Sequence, residues 1–77
     1  MIIKWVKQTC VAKEDFNEDG VLDNGMVAFS LLKYYSAAYW ELEILFLNID
    51  SLFFTSEEAA KKEAHEIVNG RSKLKLY

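Results

Sequence analysis

Proline is absent from this chain of 77 residues, cysteine and histidine occur once each, and glycine occurs three times. Each shortage removes a class of function. A single cysteine, Cys10, cannot form an internal disulfide, and its isolation in an apolar stretch suggests a small core residue in a protein of the cytoplasm. One cysteine and one histidine, His65, cannot close a zinc site. The glycines stand apart at positions 20, 25 and 70, so no glycine-rich loop is present to cradle a phosphate. No stretch reaches the roughly 18 uninterrupted apolar residues of a membrane-spanning helix. The opening residues Met1-Ile2-Ile3-Lys4-Trp5 lack the long apolar run of a secretory leader. With no nucleophile–base pair, metal set or cofactor loop, neither an enzymatic activity nor a cofactor is expected.

Apolar residues, by contrast, are abundant. They make up 52% of the chain, and two Trp, four Tyr and five Phe give eleven aromatic rings. A single domain of this size buries only about 60% of its chain surface, so a dense core is needed. The same richness leaves apolar surface for a second copy or a partner, and a homodimer or a docked protein is expected. The net charge of −3 disfavours non-specific binding to DNA. The charges are clustered. Glu14, Asp15, Glu18, Asp19 and Asp23 crowd one stretch, while Lys4 and Lys7 lie near one end of the chain and Arg71, Lys73 and Lys75 near the other. Were the two ends to pair as neighbouring strands, they would form a basic sheet edge of the kind that discourages aggregation.

The elements follow from periodicity and punctuation. Residues 2–11 are rich in β-branched and aromatic side chains and read as a strand. Residues 13–25 read as a polar connection, with Asn24-Gly25 as a hairpin turn, and residues 26–33 begin a second strand. Residues 38–47 form a third, with Trp40, Leu42, Ile44 and Phe46 on an apolar face that should meet a helix. The other face carries Tyr39, Glu41, Glu43, Leu45 and Leu47. Leu52-Phe53-Phe54 reads as a short return strand. Thr55-Ser56-Glu57-Glu58 then opens a helix over 55–69. A Thr or Ser hydroxyl caps it, Glu58 reaches back three residues to Thr55, and Gly70 ends it. Ala60, Ala64, Ile67 and Val68 form its buried stripe. Glu57 with Lys61 and Glu58 with Lys62 are acid-first pairs four apart on its exposed side. Lys73 to Tyr77 alternates as a final strand. A rival pattern exists: Leu32, Tyr35, Tyr39, Leu42, Phe46, Ile49 and Phe53 recur at spacings of three and four, and no Pro or Gly interrupts 26–49. The density of Tyr, Trp, Phe and Ile favours strands over one long helix. The expected fold is therefore α+β: a small antiparallel sheet in β-β-β-β-α-β order, one C-terminal helix packed on one face, in a single domain spanning 1–77.

Asp15-Phe16-Asn17-Glu18-Asp19-Gly20-Val21-Leu22-Asp23 resembles the first nine positions of an EF-hand or dockerin calcium loop. The twelfth position, where those loops supply a bidentate acid, is Met26, so the resemblance implies weak calcium binding at most, and a solvated acidic turn is the simpler reading. Glu41 and Glu43 share a side, as acid–base carboxylates would, but a sheet this small offers little room for a pocket. Tyr34, Tyr35, Tyr39 and Trp40 suit a protein interface, since Tyr and Trp bury large area with few rotamers to freeze. The terminal lysines with Trp5 and Trp40 could bind single-stranded nucleic acid by stacking, although Glu41 and Glu43 lie beside Trp40. The aromatic strand, capped turn and Glu-Glu-Ala helix over 40–68 resemble small accessory proteins of phages and mobile elements, without pointing to one family. The favoured expectation is a non-enzymatic binding protein. Its partner surface would comprise Glu14, Asp15, Glu18, Asp19, Asp23, Tyr34, Tyr35 and Tyr39. Its target would be a basic, nucleic-acid-handling host protein that an acidic surface could inhibit by mimicry.

Overall fold

The computed structural model describes residues 2–71. Five strands run in chain order across one antiparallel sheet: β1 (Lys4–Lys7), β2 (Glu14–Val21), β3 (Val27–Tyr34), β4 (Trp40–Ile44) and β5 (Leu52–Phe54). One helix, α1 (Glu57–Val68), follows and packs on β4 and β5. The expected α+β architecture is observed, and the span 26–49 holds β3 and β4 rather than one helix. The strand expected at 73–77 lies outside the described residues. So does any pairing of the two chain ends.

The correction concerns residues 13–25. What reads as a polar connection holds β2, paired on both sides: Trp5 faces Gly20 and Lys7 faces Glu18 across one ladder, while Glu18 faces Leu31 and Gly20 faces Phe29 across the other. Asp, Asn, Glu and Gly are poor strand formers on their own. Here the ladders of β1 and β3 impose the extended backbone, and tertiary pairing overrides local preference. The sharp turn that starts β2 is also silent in the sequence. Glu14 N–H donates to the Val11 carbonyl at 3.1 Å, with Ala12 in the left-handed region at φ 50°. Alanine fills a position that glycine or asparagine normally marks. The Glu14 side chain braces this turn. It is only 7% exposed, and its Oε1 accepts from the Val11 N–H at 3.0 Å and from Asn17 Nδ2 at 3.1 Å. Cys10, in the β1–β2 connection, is exposed and not a core residue, because β1 ends at Lys7.

The Asn24-Gly25 turn is as expected. Gly25 takes φ 86°, and the Met26 N–H donates to Asn24 Oδ1 at 2.9 Å. At the helix start Ser56 is the cap: its Oγ accepts from the Ala59 N–H at 3.1 Å. The third helical position is thus Ala59, so no Thr55–Glu58 capping box forms. At the far end Gly70 takes φ 70°, its N–H donates to the Ile67 carbonyl at 3.2 Å, and Arg71 N–H donates to the Glu66 carbonyl at 2.8 Å. That reciprocal pair is a Schellman ending.

The core lies between the helix and one sheet face. Phe29, Leu31 and Leu42 are its largest fully enclosed side chains, and Ala60, Ala64 and Ile67 close it from the helix. The two alanines let the helix axis approach the sheet, and each enclosed Leu or Phe contributes about 2–3 kcal/mol by leaving water. Val68 and Leu47 are only partly buried against this core. Phe46 falls beyond the end of β4 and stays 42% exposed, with its ring edge-on to Phe29 at 5.8 Å.

Candidate binding surface

Alternation along β2 sends its acids to opposite sides of the sheet. Phe16, Glu18 and Gly20 face the helix, whereas Asn17, Asp19 and Val21 face away. The eight residues expected to form one partner surface are therefore divided. Glu14 is enclosed in its own turn. Asp15 sits at a register irregularity, 3.9 Å from Lys33 Nζ. Glu18 points under the helix. Asp19 lies on the opposite face, and Asp23 is exposed in the β2–β3 turn. Tyr34, Tyr35 and Tyr39 do gather at the β3–β4 connection, with exposures of 37%, 70% and 54%. Tyr35 is anchored there by its N–H to the Lys13 carbonyl at 2.9 Å.

Glu18 is 13% exposed in its side chain and survives burial because Lys61 reaches it from the helix. The ammonium donates at 2.8 Å to Glu18 Oε1 and at 2.8 Å to Glu57 Oε2, and it lies 5.2 Å from the Trp5 ring centre and 5.7 Å from that of Phe16. The Glu57–Lys61 pair therefore turns toward the sheet rather than standing on the exposed side. Burial by itself would push the Lys61 ammonium down, but the hydrogen bonds and charges of Glu18 and Glu57 outweigh it and raise its pKa above the usual lysine value. Next to this network an open cleft of about 430 Å³ is bordered by Lys7, Cys10, Asp15, Phe16, Glu18 and Glu57. Both glutamates there are already engaged by Lys61. Nearby, Asn17 Oδ1 is enclosed without a hydrogen-bond donor, while its amide nitrogen donates to Glu14 Oε1.

The face away from the helix is organised in rows across the strands. Val6, Asp19, Ser30 and Glu43 form one, and Asn17, Leu32, Glu41 and Phe53 form the next. Strand neighbours stand about 5 Å apart, so Asp19 and Glu43 flank Ser30 with their Cα atoms about 10 Å apart. Glu41 is one repeat, about 7 Å, along β4 from Glu43. None of Asp19, Glu41 and Glu43 makes an ion pair among the described residues. Apolar groups flank them. Val21, Val27 and Leu45 lie toward one end of the sheet, and Tyr34 and Phe53 toward the other. Phe53 is 62% exposed. Glu41 and Glu43 are the members that the sequence offers only as same-side carboxylates without room for a pocket. Their signal was the two-residue spacing, which puts them on one side, but pairing them with Asp19 required knowing that residue 19 is in a strand.

The geometry also bears on the other chemistries. Asp15, Asn17 and Asp19 are spaced along an extended strand, so the first and last stand about 13 Å apart. A calcium loop folds such residues to within about 2.5 Å of one ion. Gly20, which that motif would use for a sharp turn, is buried at 3.0–3.1 Å from where its Cβ would meet Trp5, Ile3 and Phe29. The rings expected to stack bases are occupied. Trp5 packs on Phe29 at 6.2 Å, and Trp40 meets Phe16 edge-on at 4.7 Å. Lys4 and Lys7 are exposed on an edge strand, while Lys73 and Lys75 lie outside the described residues. His65 is exposed on the helix and Cys10 on the β1–β2 connection.

No protein-family model matches the chain, and comparisons with curated proteins and with solved structures find no match. No helix among the described residues is long and apolar enough to cross a membrane.

Proposed function

We propose that the protein is a non-enzymatic protein-binding module whose partner meets the sheet face away from the helix and the adjoining tyrosine cluster. The observation that carries this reading is the concentration of exposed rings, Tyr34, Tyr35, Tyr39 and Phe53, beside a sheet face that no described helix covers, with Leu32 at 7% exposure enclosed at its centre. A solvated antiparallel face normally alternates to polar residues throughout. This one mixes large apolar groups with carboxylates, a composition suited to an interface. The acids also weigh on the partner. Two copies apposed through this face would bring six carboxylates together, so a different, basic partner fits better than a homodimer. A basic site on a nucleic-acid-handling protein is a target of that kind, and occupying it would be inhibitory.

Affinity capture from the native host followed by mass spectrometry tests the reading. Wild type is compared with a Tyr35→Ser/Tyr39→Ser variant, both side chains being exposed and outside the core. A protein recovered with wild type and lost with the variant is the expected result. Recovery of the same proteins at equal yield would remove the tyrosine cluster from the interface.

A further inference from the structure

We infer that the open sheet face takes a basic amphipathic polypeptide segment, its cations set over Asp19, Glu43 and Glu41 and its apolar residues over the flanking hydrophobic groups. This deepens the protein-binding reading and rests on it. Three observations lead to this occupant. The carboxylates are unpaired among the described residues, although Lys33, Lys61 and Arg71 are each engaged by other acids nearby. The Cα atoms of neighbouring acids stand about 7–10 Å apart, and like charges at that separation repel by roughly 0.4–0.6 kcal/mol per pair even in water, so the face holds a charge pattern that folding does not favour. Apolar side chains border the charges at both ends: Val27 and Leu45, 44% and 50% exposed, and Tyr34 with Phe53.

Dimensions set the length of the segment. From the Val27 level to the Tyr34 level of β3 is seven residues, about 23 Å at strand rise. A helix of about 15 residues spans that distance. It would cover this face as α1 covers the other, making a layer of helix on each side of the sheet. Lysine or arginine in its middle turns and Leu, Ile or aromatic residues at its ends match the surface. Nucleic acid is the wrong sign for the same site, and a second copy of this face is equally so.

The test uses a fluorescein-labelled 18-residue Leu/Lys peptide with lysines on one helical stripe, and a scrambled peptide of the same composition. Three full-length proteins are titrated by fluorescence anisotropy: wild type, Asp19→Asn/Glu41→Gln/Glu43→Gln, and the charge-matched Asp50→Asn/Glu58→Gln/Glu63→Gln. Both triple variants move the formal net charge from −3 to 0, so bulk electrostatics are held equal. The expected result is at least a tenfold loss of affinity for the striped peptide in the first triple variant. The second should lose no more than about twofold, and wild type should prefer the striped peptide. Equal losses in both variants would mean net charge alone is sensed and would overturn the face as the site, while leaving a protein-binding role standing. No binding of either peptide by wild type would overturn the basic-segment proposal, and the host capture above then decides the broader reading on its own. Sedimentation velocity of the protein alone completes the test. A dimer that the first triple variant dissociates would assign the face to a second copy and overturn the proposal, whereas a monomer agrees with it.

Discussion

Replacing Gly20 by alanine should destabilise the fold, for reasons of space rather than backbone conformation. Gly20 does not take a positive φ, unlike Gly25 and Gly70, so an L-residue can adopt its backbone. The obstacle is what a methyl group would meet: Trp5 Cζ3 at 3.0 Å, Ile3 Cγ2 at 3.1 Å and Phe29 Cβ at 3.1 Å. Cross-strand Cβ atoms usually stand roughly 4.5–5.5 Å apart. Trp5 and Ile3 present the far ends of side chains and can shift by tenths of an ångström. Phe29 Cβ is rooted in β3, directly opposite Gly20 in the ladder, and cannot retreat without moving that strand. Overpacking of this sort costs about 1–3 kcal/mol. The narrower unfolded state of alanine returns about 0.4–1 kcal/mol. At the middle of both ranges a net loss of about 1.3 kcal/mol remains, or roughly 5–10 °C in Tm for a domain of this size. Thermal and urea unfolding followed by circular dichroism measure it. Trp5→Phe withdraws the outer ring atom, so Gly20→Ala should cost less in that background than in wild type. A Gly20→Ala protein as stable as wild type, or strictly additive costs in the double variant, would refute the seating of Trp5 and Phe29 on Gly20.

Four other outcomes are expected. Lys61→Met keeps the apolar stem but leaves Glu18, nearly enclosed, without its cation; stability should fall by about 1–3 kcal/mol, with most of the loss recovered when Glu18→Gln is added. Because the folded pKa of Lys61 is raised, its contribution is full below the unfolded lysine value near pH 10.4 and is lost as pH climbs through the folded value, so the Tm gap between wild type and Lys61→Met should close above about pH 10.5. Ser56→Ala should cost about 1 kcal/mol and Thr55→Ala almost nothing, since only the Ser56 hydroxyl caps the helix; equal effects in thermal melts would contradict that cap. Ala12→Gly should stabilise by up to about 1 kcal/mol by relieving a left-handed alanine, and a lower urea midpoint would argue against the turn geometry. Asp19→Asn/Glu41→Gln/Glu43→Gln should leave Tm unchanged or slightly higher, because those three acids repel one another; a marked loss would show that they serve the fold.

The parts of the fold legible in the sequence are those with local physical causes. Gly25 and Gly70 mark their turns because only glycine adopts such φ values freely, and Ala60, Ala64 and Ile67 announce the buried helix stripe by spacing alone. Leu42 and Ile44 alternate with Glu41 and Glu43 as a half-buried strand must. β2 was illegible because its extended state comes from neighbours on both sides, not from its own residues. Asp, Asn, Glu and Gly in succession look like a loop, and Ala12 hides the turn that would have announced a hairpin. That one missed strand disguised the candidate surface. Read as a loop, residues 14–23 present five acids together. Folded as β2, they send Glu18 inward to Lys61, enclose Glu14 in its turn, and leave Asp19 to join Glu41 and Glu43 across the sheet.

Nuclear Overhauser contacts measured in the full-length protein address that division most directly. With β2 in place, Asp19 backbone protons should show cross-strand contacts to Val6 on one side and to Ser30 on the other, while the Lys61 ε-methylene protons contact the side chain of Glu18 and the ring of Trp5. Absence of both cross-strand sets, with residues 15–23 shifting instead on addition of calcium, would contradict the strand and the surface built upon it.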